Sequence, residues 1–213
     1  MKKILISMVI VALTVGCKKN DNQPNLPASD STAQIKNDSI TINQPVENKD
    51  QSLKQVNDEV LQALKNKDYK NFASFIHPQK GIRFSMYAFV DVKGDKHFSK
   101  ADFEKYQPTK MIFTWGSQDG SGDLYKTTIN DYLGKWVFSK DFTTGQYALN
   151  KFIGGGNSLN NLKEAYPQAD FTENYMKGTE KYGEMDWKTI RLVFEQFQGK
   201  YYLIAVVNDQ WTI

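Results

Sequence analysis

The stretch from Thr189 to Ile213 constrains the fold more than any other part of the chain. Thr189 to Phe197 alternates in character, Gln198-Gly199 has the form of a tight turn, and Lys200 to Val207 returns as a second run. Ile190, Leu192 and Phe194 share one side of a pleated strand, with Arg191, Val193 and Glu195 on the other. The run Tyr201-Tyr202-Leu203-Ile204-Ala205-Val206-Val207 is apolar on both sides, the pattern of a central strand covered on each face. Two registers are compatible with this hairpin. A two-residue loop puts Ile190, Leu192 and Phe194 on one face with Leu203, Ala205 and Val207, followed by Asp209 and Trp211. A three-residue loop containing Phe197 pairs that face with Tyr202, Ile204 and Val206 and turns Asp209 away.

The segments before the hairpin predict helices first and strands later. Leu53, Val56, Val60 and Leu64 fall on one face of a helix over about 51–66. Asp68 is placed to cap a short second helix carrying Phe72, Phe75 and Ile76, which His77-Pro78 ends. A strand is expected from Ile82 to Val92, and Ser99-x-x-Asp102 resembles a capping box for a helix with Phe103 and Tyr106. Met111 to Trp115 reads as a strand, Thr128-x-x-Asp131 opens another helix, and Tyr147 to Ile153 a short strand. A helix is expected over Ser158 to Tyr166, stopped by Pro167, and a strand over Phe171 to Met176. The fold class is α+β, with N-terminal helices packed on a curved, mostly antiparallel sheet that ends in the C-terminal hairpin.

The other end of the chain says where such a domain works. Lys2 and Lys3 precede an apolar run, Ile4 to Val15, too short for a permanent bilayer span. The run leads to Gly16 and Cys17, the single cysteine. This arrangement resembles bacterial lipoprotein signal peptides, in which a small residue precedes a cysteine that is diacylated and becomes the mature N-terminus. Thr14 stands where those signals prefer leucine, with Leu13 one position early. The resemblance implies a lipid-anchored protein on the extracytoplasmic face of a bacterial cell envelope, held to the membrane through Cys17.

Residues 1–16 are therefore expected to be the signal peptide and residues 17–50 a disordered tether that starts at the lipidated cysteine. Residues 51–213 are expected to form one domain. The tether is rich in Asn, Asp, Ser, Lys and Gln, includes Pro24, Pro27 and Pro45, and has no aromatic residue. Such a segment cannot bury enough apolar surface to offset its ordering entropy. It allows a stand-off of tens of ångströms, from roughly 5–6 Å times the square root of the residue number. Loss of Lys2 and Lys3 with the signal lowers the formal charge from +3 to +1. A near-neutral exported domain offers no argument for nucleic-acid binding.

Two further resemblances bear on residues 51–213. Two short helices followed by a sheet that ends in a long hairpin is similar to the nuclear-transport-factor-2-like fold, which implies a sheet wrapped round a helix and a conical pocket. The segments His77 to Ser85, Thr114-Trp115-Gly116, Asp119 to Asp123, Met185-Asp186-Trp187 and Asp209 to Ile213 resemble an uncharacterised family of bacterial lipoproteins. That second resemblance implies location and domain extent and brings no catalytic residue.

No segment spells out a reaction. Asp119-Gly120-Ser121-Gly122-Asp123 has the alternating oxygens of a calcium loop but lacks its sixth-position glycine and its closing glutamate, so a tight turn is expected. Gly154-Gly155-Gly156-Asn157-Ser158 lacks the Lys-Ser/Thr pair of a phosphate loop, and Asn157 or Ser158 is expected as a helix cap. His77 and His97, the two histidines, share no zinc-ligand spacing. No metal or cofactor is called for. A conical pocket would draw on Arg83, Asp91, Glu195 and Asp209 as polar groups, with Trp115 and Trp211 as walls. The leading expectation is a non-catalytic binding or accessory domain for a small molecule, a cell-wall polymer or an envelope protein. The alternative is a small pocket enzyme using His77 with Asp91 or Asp209 as acid and base. Cys17→Ala should leave the protein unprocessed by the lipoprotein peptidase and unlabelled by radioactive palmitate, and continued labelling contradicts the anchor.

Overall fold

The computed structural model describes residues 48–213. The expected signal peptide, Cys17 and the expected tether up to residue 47 lie outside the described residues. Helix α1 (Lys49–Lys65) starts at Asn48, whose side-chain oxygen accepts from the Asp50 N–H at 3.1 Å. It buries Leu53, Val60, Leu61 and Leu64. Helix α2 (Tyr69–Ser74) is capped by Asp68, which accepts from the Asn71 N–H. Then come β1 (Ile82–Ser85), β2 (Lys96–Phe98), α3 (Lys100–Tyr106), β3 (Phe113–Ser117) and β4 (Leu124–Thr127). Ser99 caps α3 through the Asp102 N–H, as the sequence spacing predicts. Thr128 caps α4 (Ile129–Tyr132), which runs into a π turn over Leu133–Val137. The chain ends with β5 (Gln146–Leu149), α5 (Leu162–Ala165), β6 (Asp170–Met176), β7 (Lys188–Phe197) and β8 (Lys200–Gln210).

Several elements are shorter than expected: β5 ends at Leu149 instead of Ile153 and α2 at Ser74, before Phe75 and Ile76, and at two others side chains take the backbone groups that would extend them. Strand β1 stops at Ser85 instead of Val92. Beyond it, Asn161 brackets Val90 by accepting from its N–H and donating to its carbonyl, and the Asp95 carboxylate accepts from the Asp91 N–H. The helix expected over 158–166 is reduced to Leu162–Ala165. Its expected caps are committed elsewhere, Ser158 Oγ to Thr212 Oγ1 and Asn157 Nδ2 to the Thr212 carbonyl. The Asp119–Asp123 segment is the expected turn, with Gly120 and Gly122 at φ +79° and +74°.

Six strands form one sheet in the order β2-β1-β8-β7-β6-β5, and β3 and β4 form a second. Every neighbouring pair in the large sheet is antiparallel except β1 and β8, which run parallel. The fold is thus mixed α+β, and the large sheet is not a closed barrel. The β7–β8 turn is the two-residue loop, with Gln198 and Gly199 both at positive φ and Phe197 opposite Lys200. A bulge then interrupts the register: Phe194 faces Leu203, but Val193 faces Ala205. The two-residue register holds up to the bulge; beyond it the side chains take the faces expected of the three-residue loop, but Leu192 lies opposite Val206 where that loop would pair it with Ile204. Leu203 joins Phe194, Leu192 and Ile190 on one face before the bulge, and Val206 and Asn208 take that face after it.

The first face carries the main core. Phe72, Phe84, Phe103, Trp115 and Tyr132 fill it, with the Trp115 ring stacked on Tyr132 at 3.6 Å between centroids. Helix α1 is fixed on this face by a buried polar contact. Asn57 and Asn174 exchange amide hydrogen bonds of 3.1 and 2.8 Å, and Thr172 Oγ1 donates to Asn57 Oδ1. The opposite face holds a smaller apolar cluster of Val90, Leu162, Phe171, Val193, Ile204, Ala205 and Val207. Beside it lies an ion cluster. Arg191 and Glu173 are fully buried and Asp209 is 2% exposed.

Candidate ligand-binding cleft

The bulge decides where the expected site residues point. Asp209 lands opposite Thr189, on the face that carries Arg191, instead of facing the main core. Its Oδ2 accepts from Arg191 Nη2 at 3.0 Å and its Oδ1 from the Gln210 N–H at 2.9 Å. Burial pushes the Asp209 carboxyl above the ordinary aspartate range, and Arg191 draws it part of the way back. Arg191 also donates through Nε to Glu173 and through Nη2 to the Gly154 carbonyl. The same Glu173 carboxylate accepts from the Ile153 and Gly154 N–H groups. A Cβ at Gly154 would lie 2.7 Å from the Tyr175 ring, so the close approach of this loop requires glycine there. The triad thus fastens the glycine-rich loop to the sheet.

The other expected residues are dispersed. Trp115 is no pocket wall: it sits in the main core at 1% exposure, its indole N–H donating to the Thr127 carbonyl. Trp211 lies beyond the end of β8 and is 39% exposed. Asp91 occupies a surface turn, where the N–H groups of Gly94 and Lys93 hold its carboxyl below the ordinary range. His77 stands against Phe197 and Tyr202 at the turn end of the hairpin, with ring centroids 5.2 and 5.9 Å away. Asp209 is seven residues further along β8 than Tyr202, about 23 Å at 3.3 Å per residue. His77 and Asp209 cannot share a proton.

Arg83 and Glu195 are the two expected residues that the fold brings together. Both lie on the second face, Arg83 opposite Ala205 and Glu195 opposite Tyr202. They line a cleft of about 340 Å³ with Lys80, His97, Tyr166 and Ile204, while Ala165, Pro167 and Ala169 add apolar wall. That volume suits a small ligand. Ile204, the extra residue of the bulge, lies between the Arg83 and Glu195 positions along this face. Lys80 Nζ pairs with Glu195 at 2.6 Å on the rim, a solvent-exposed contact of small energetic value. Burial pushes the Tyr166 phenol up, and the adjacent Arg83 guanidinium pulls against it.

A larger groove of about 820 Å³ runs between α1 and the turn end of the hairpin. It gathers none of the expected residues. Several of its polar groups are paired, Lys49 with Asp170 at 2.8 Å and Gln55 with Glu59 at 2.9 Å.

His77 shapes the smaller cleft from behind. Segment 75–77 runs alongside β8, with Leu203 N–H donating to the Phe75 carbonyl and His77 N–H to the Leu203 carbonyl. The chain then loops out and returns as β1. His77 closes this loop: its carbonyl accepts from the Gly81 N–H, and its Nδ1 accepts from the N–H groups of Gln79 and Lys80. The Lys80 carbonyl in turn accepts from His97 Nε2 at 2.7 Å. Lys80 and His97 are thereby held at the cleft rim.

Sequence reasoning missed Glu173, Lys80 and Tyr166, and counted Arg191 only as the polar half of an alternation. Arg191 and Glu173 are paired residues of neighbouring strands, and only the register brings them together. No protein-family model matches the chain, and a search of the curated proteins finds no match.

Nδ1 accepts two hydrogen bonds only while it is unprotonated, and burial lowers the His77 pKa from 6.5. Below 6.5 the unfolded chain takes up a proton that the folded ring resists, so stability falls as pH drops from 6.5 through the folded pKa and is complete above 6.5. His77→Ala should cost about 1–3 kcal/mol above that window, because two N–H groups lose their acceptor. The cost should shrink as pH falls. Denaturant melts at several pH values test this, and a neutral substitution or an unchanged pH profile would count against it.

Proposed function

We propose that the chain is a lipid-anchored, extracytoplasmic binding or accessory domain that holds a small molecule in the Arg83–Glu195 cleft and does no chemistry on it. The observation that carries this is the fate of the acid–base candidates. His77 accepts two backbone hydrogen bonds in a closed loop, Asp91 is bound by its own turn, and Asp209 is locked to Arg191. None is free to exchange a proton with a ligand in the cleft.

The helix pair on one face of a sheet whose first and last strands run parallel supports kinship with the nuclear-transport-factor-2-like fold. That kinship implies a pocket on the helix-covered face. Here large aromatic side chains occupy that face, and the cleft lies on the other. The anchor at Cys17 and a tether would present the cleft at a distance from the membrane, where a solute, a cell-wall fragment or an envelope protein could meet it.

Native mass spectrometry of the full chain after exposure to a small-molecule extract of bacterial envelopes tests the proposal. Wild type should retain a ligand that is released with unchanged mass, and Ala169→Trp, which fills the cleft from its wall, should not. Equal melting temperatures would show that the variant is folded. Retention by the folded variant, or conversion of the ligand, would overturn the proposal.

A further inference from the structure

The hydrogen-bonding capacity left unused in the cleft defines the chemistry of what it takes. Of the lining cations, Lys80 is neutralised by Glu195. Arg83 makes no ion pair of that kind among the described residues, although the Asp91 and Asp95 carboxylates lie near enough to feel its charge. The one hydrogen bond found for it among the described residues runs from Nη1 to the Asp95 backbone carbonyl at 3.2 Å. The nearby Asp95 carboxylate accepts instead from Ser85 Oγ and from the Asp91 N–H at 3.0 Å. The Asp91 carboxylate accepts from the Lys93 N–H at 2.9 Å. Arg83 therefore keeps its remaining N–H donors for a ligand. Next to it, the Tyr166 hydroxyl is buried beside the Arg83 guanidinium and meets no partner at good hydrogen-bond geometry among the described residues. A buried hydroxyl without a hydrogen bond is costly, and an arginine fork matches a carboxylate in two places at once.

The rest of the cleft is apolar. Ile204 forms the floor, and Ala165, Pro167 and Ala169 form a wall with the Tyr166 ring. Resting on the proposed binding role of this cleft, we infer that its ligand is a small organic carboxylate with a compact apolar or aromatic body. The carboxylate bridges the Arg83 guanidinium and the Tyr166 hydroxyl, and the body lies on Ile204 and against Pro167. On the opposite rim Lys80 is already paired with Glu195, so no unpaired lysine or arginine stands there to hold a second negative group, and the class is monocarboxylates rather than dicarboxylates.

Three probes of one size separate the possibilities: benzoate, uncharged benzamide and cationic benzylamine. Each is titrated into the ¹⁵N-labelled full chain, with backbone amide shifts of residues 80–83, 165–169 and 204 as the readout. Benzoate should shift these amides and bind at least tenfold more tightly than benzamide. Arg83→Gln should weaken benzoate at least tenfold, and Tyr166→Phe severalfold, with the other amide positions unchanged. If Arg83→Gln fails to fold, Tyr166→Phe, which keeps the ring in place, decides the matter. Benzamide or benzylamine shifting the same amides as strongly as benzoate would overturn the carboxylate class and leave the binding role standing. If none of the three moves these amides, both fail.

Discussion

One irregularity in one strand sorts the residues of the sheet. Without the bulge between Val193 and Phe194, the two-residue turn would place Ala205, Val207 and Asp209 on the face that packs against the helices. A carboxylate would then be pressed toward Phe84, Trp115 and Tyr132. The extra residue sends Val206 and Asn208 inward instead and returns Asp209 to the side of Arg191. Ile204 faces away from the helices with or without the bulge and forms the floor of the cleft. The apolar run from Tyr201 to Val207 permits this shift because both of its faces are buried. Neither register exposes a large hydrophobic residue there.

The two faces perform different work. The helix-covered face is an aromatic core held by area and shape, with Asn57, Thr172 and Asn174 giving α1 one specific seat. The other face is held by charge. Taking Arg191, Glu173 and Asp209 out of water is expensive, and such clusters are often no more stable than a packed apolar replacement. This cluster fixes a loop that has little apolar surface of its own to bury. Gly154 has its N–H on Glu173 and its carbonyl on Arg191, and the Ile153 N–H adds a second bond to Glu173. The cleft lies toward the turn end of the same face, between that covered region and the loop closed by His77.

Much of this was legible in the chain. Capping residues Asp68, Ser99 and Thr128 start helices where their spacing predicts. The long hairpin, last in chain order, forms the middle of the sheet, and its returning strand is central as its apolar faces predict. Arg83 and Glu195 were also within reach, as polar residues on strands. The bulge was not legible, because Leu203 to Val207 offers nothing to distinguish one register from the next. The ion triad depends on it, since Glu173 and Arg191 meet only through the pairing of β6 with β7 and Asp209 only through the shift in β8. Nor could the sequence show that Asn157 and Ser158 would bond to Thr212 instead of starting a helix.

The register of β7 against β8 is the most direct measure of this account. Cross-strand nuclear Overhauser contacts distinguish the two arrangements without reference to any ligand. The account predicts that Leu192 lies opposite Val206 and Val193 opposite Ala205, while Phe194 lies opposite Leu203. Contacts placing Leu192 opposite Ala205 and Arg191 opposite Val206 would mean an unbroken ladder, with Ala205, Val207 and Asp209 turned toward the core and Asp209 parted from Arg191.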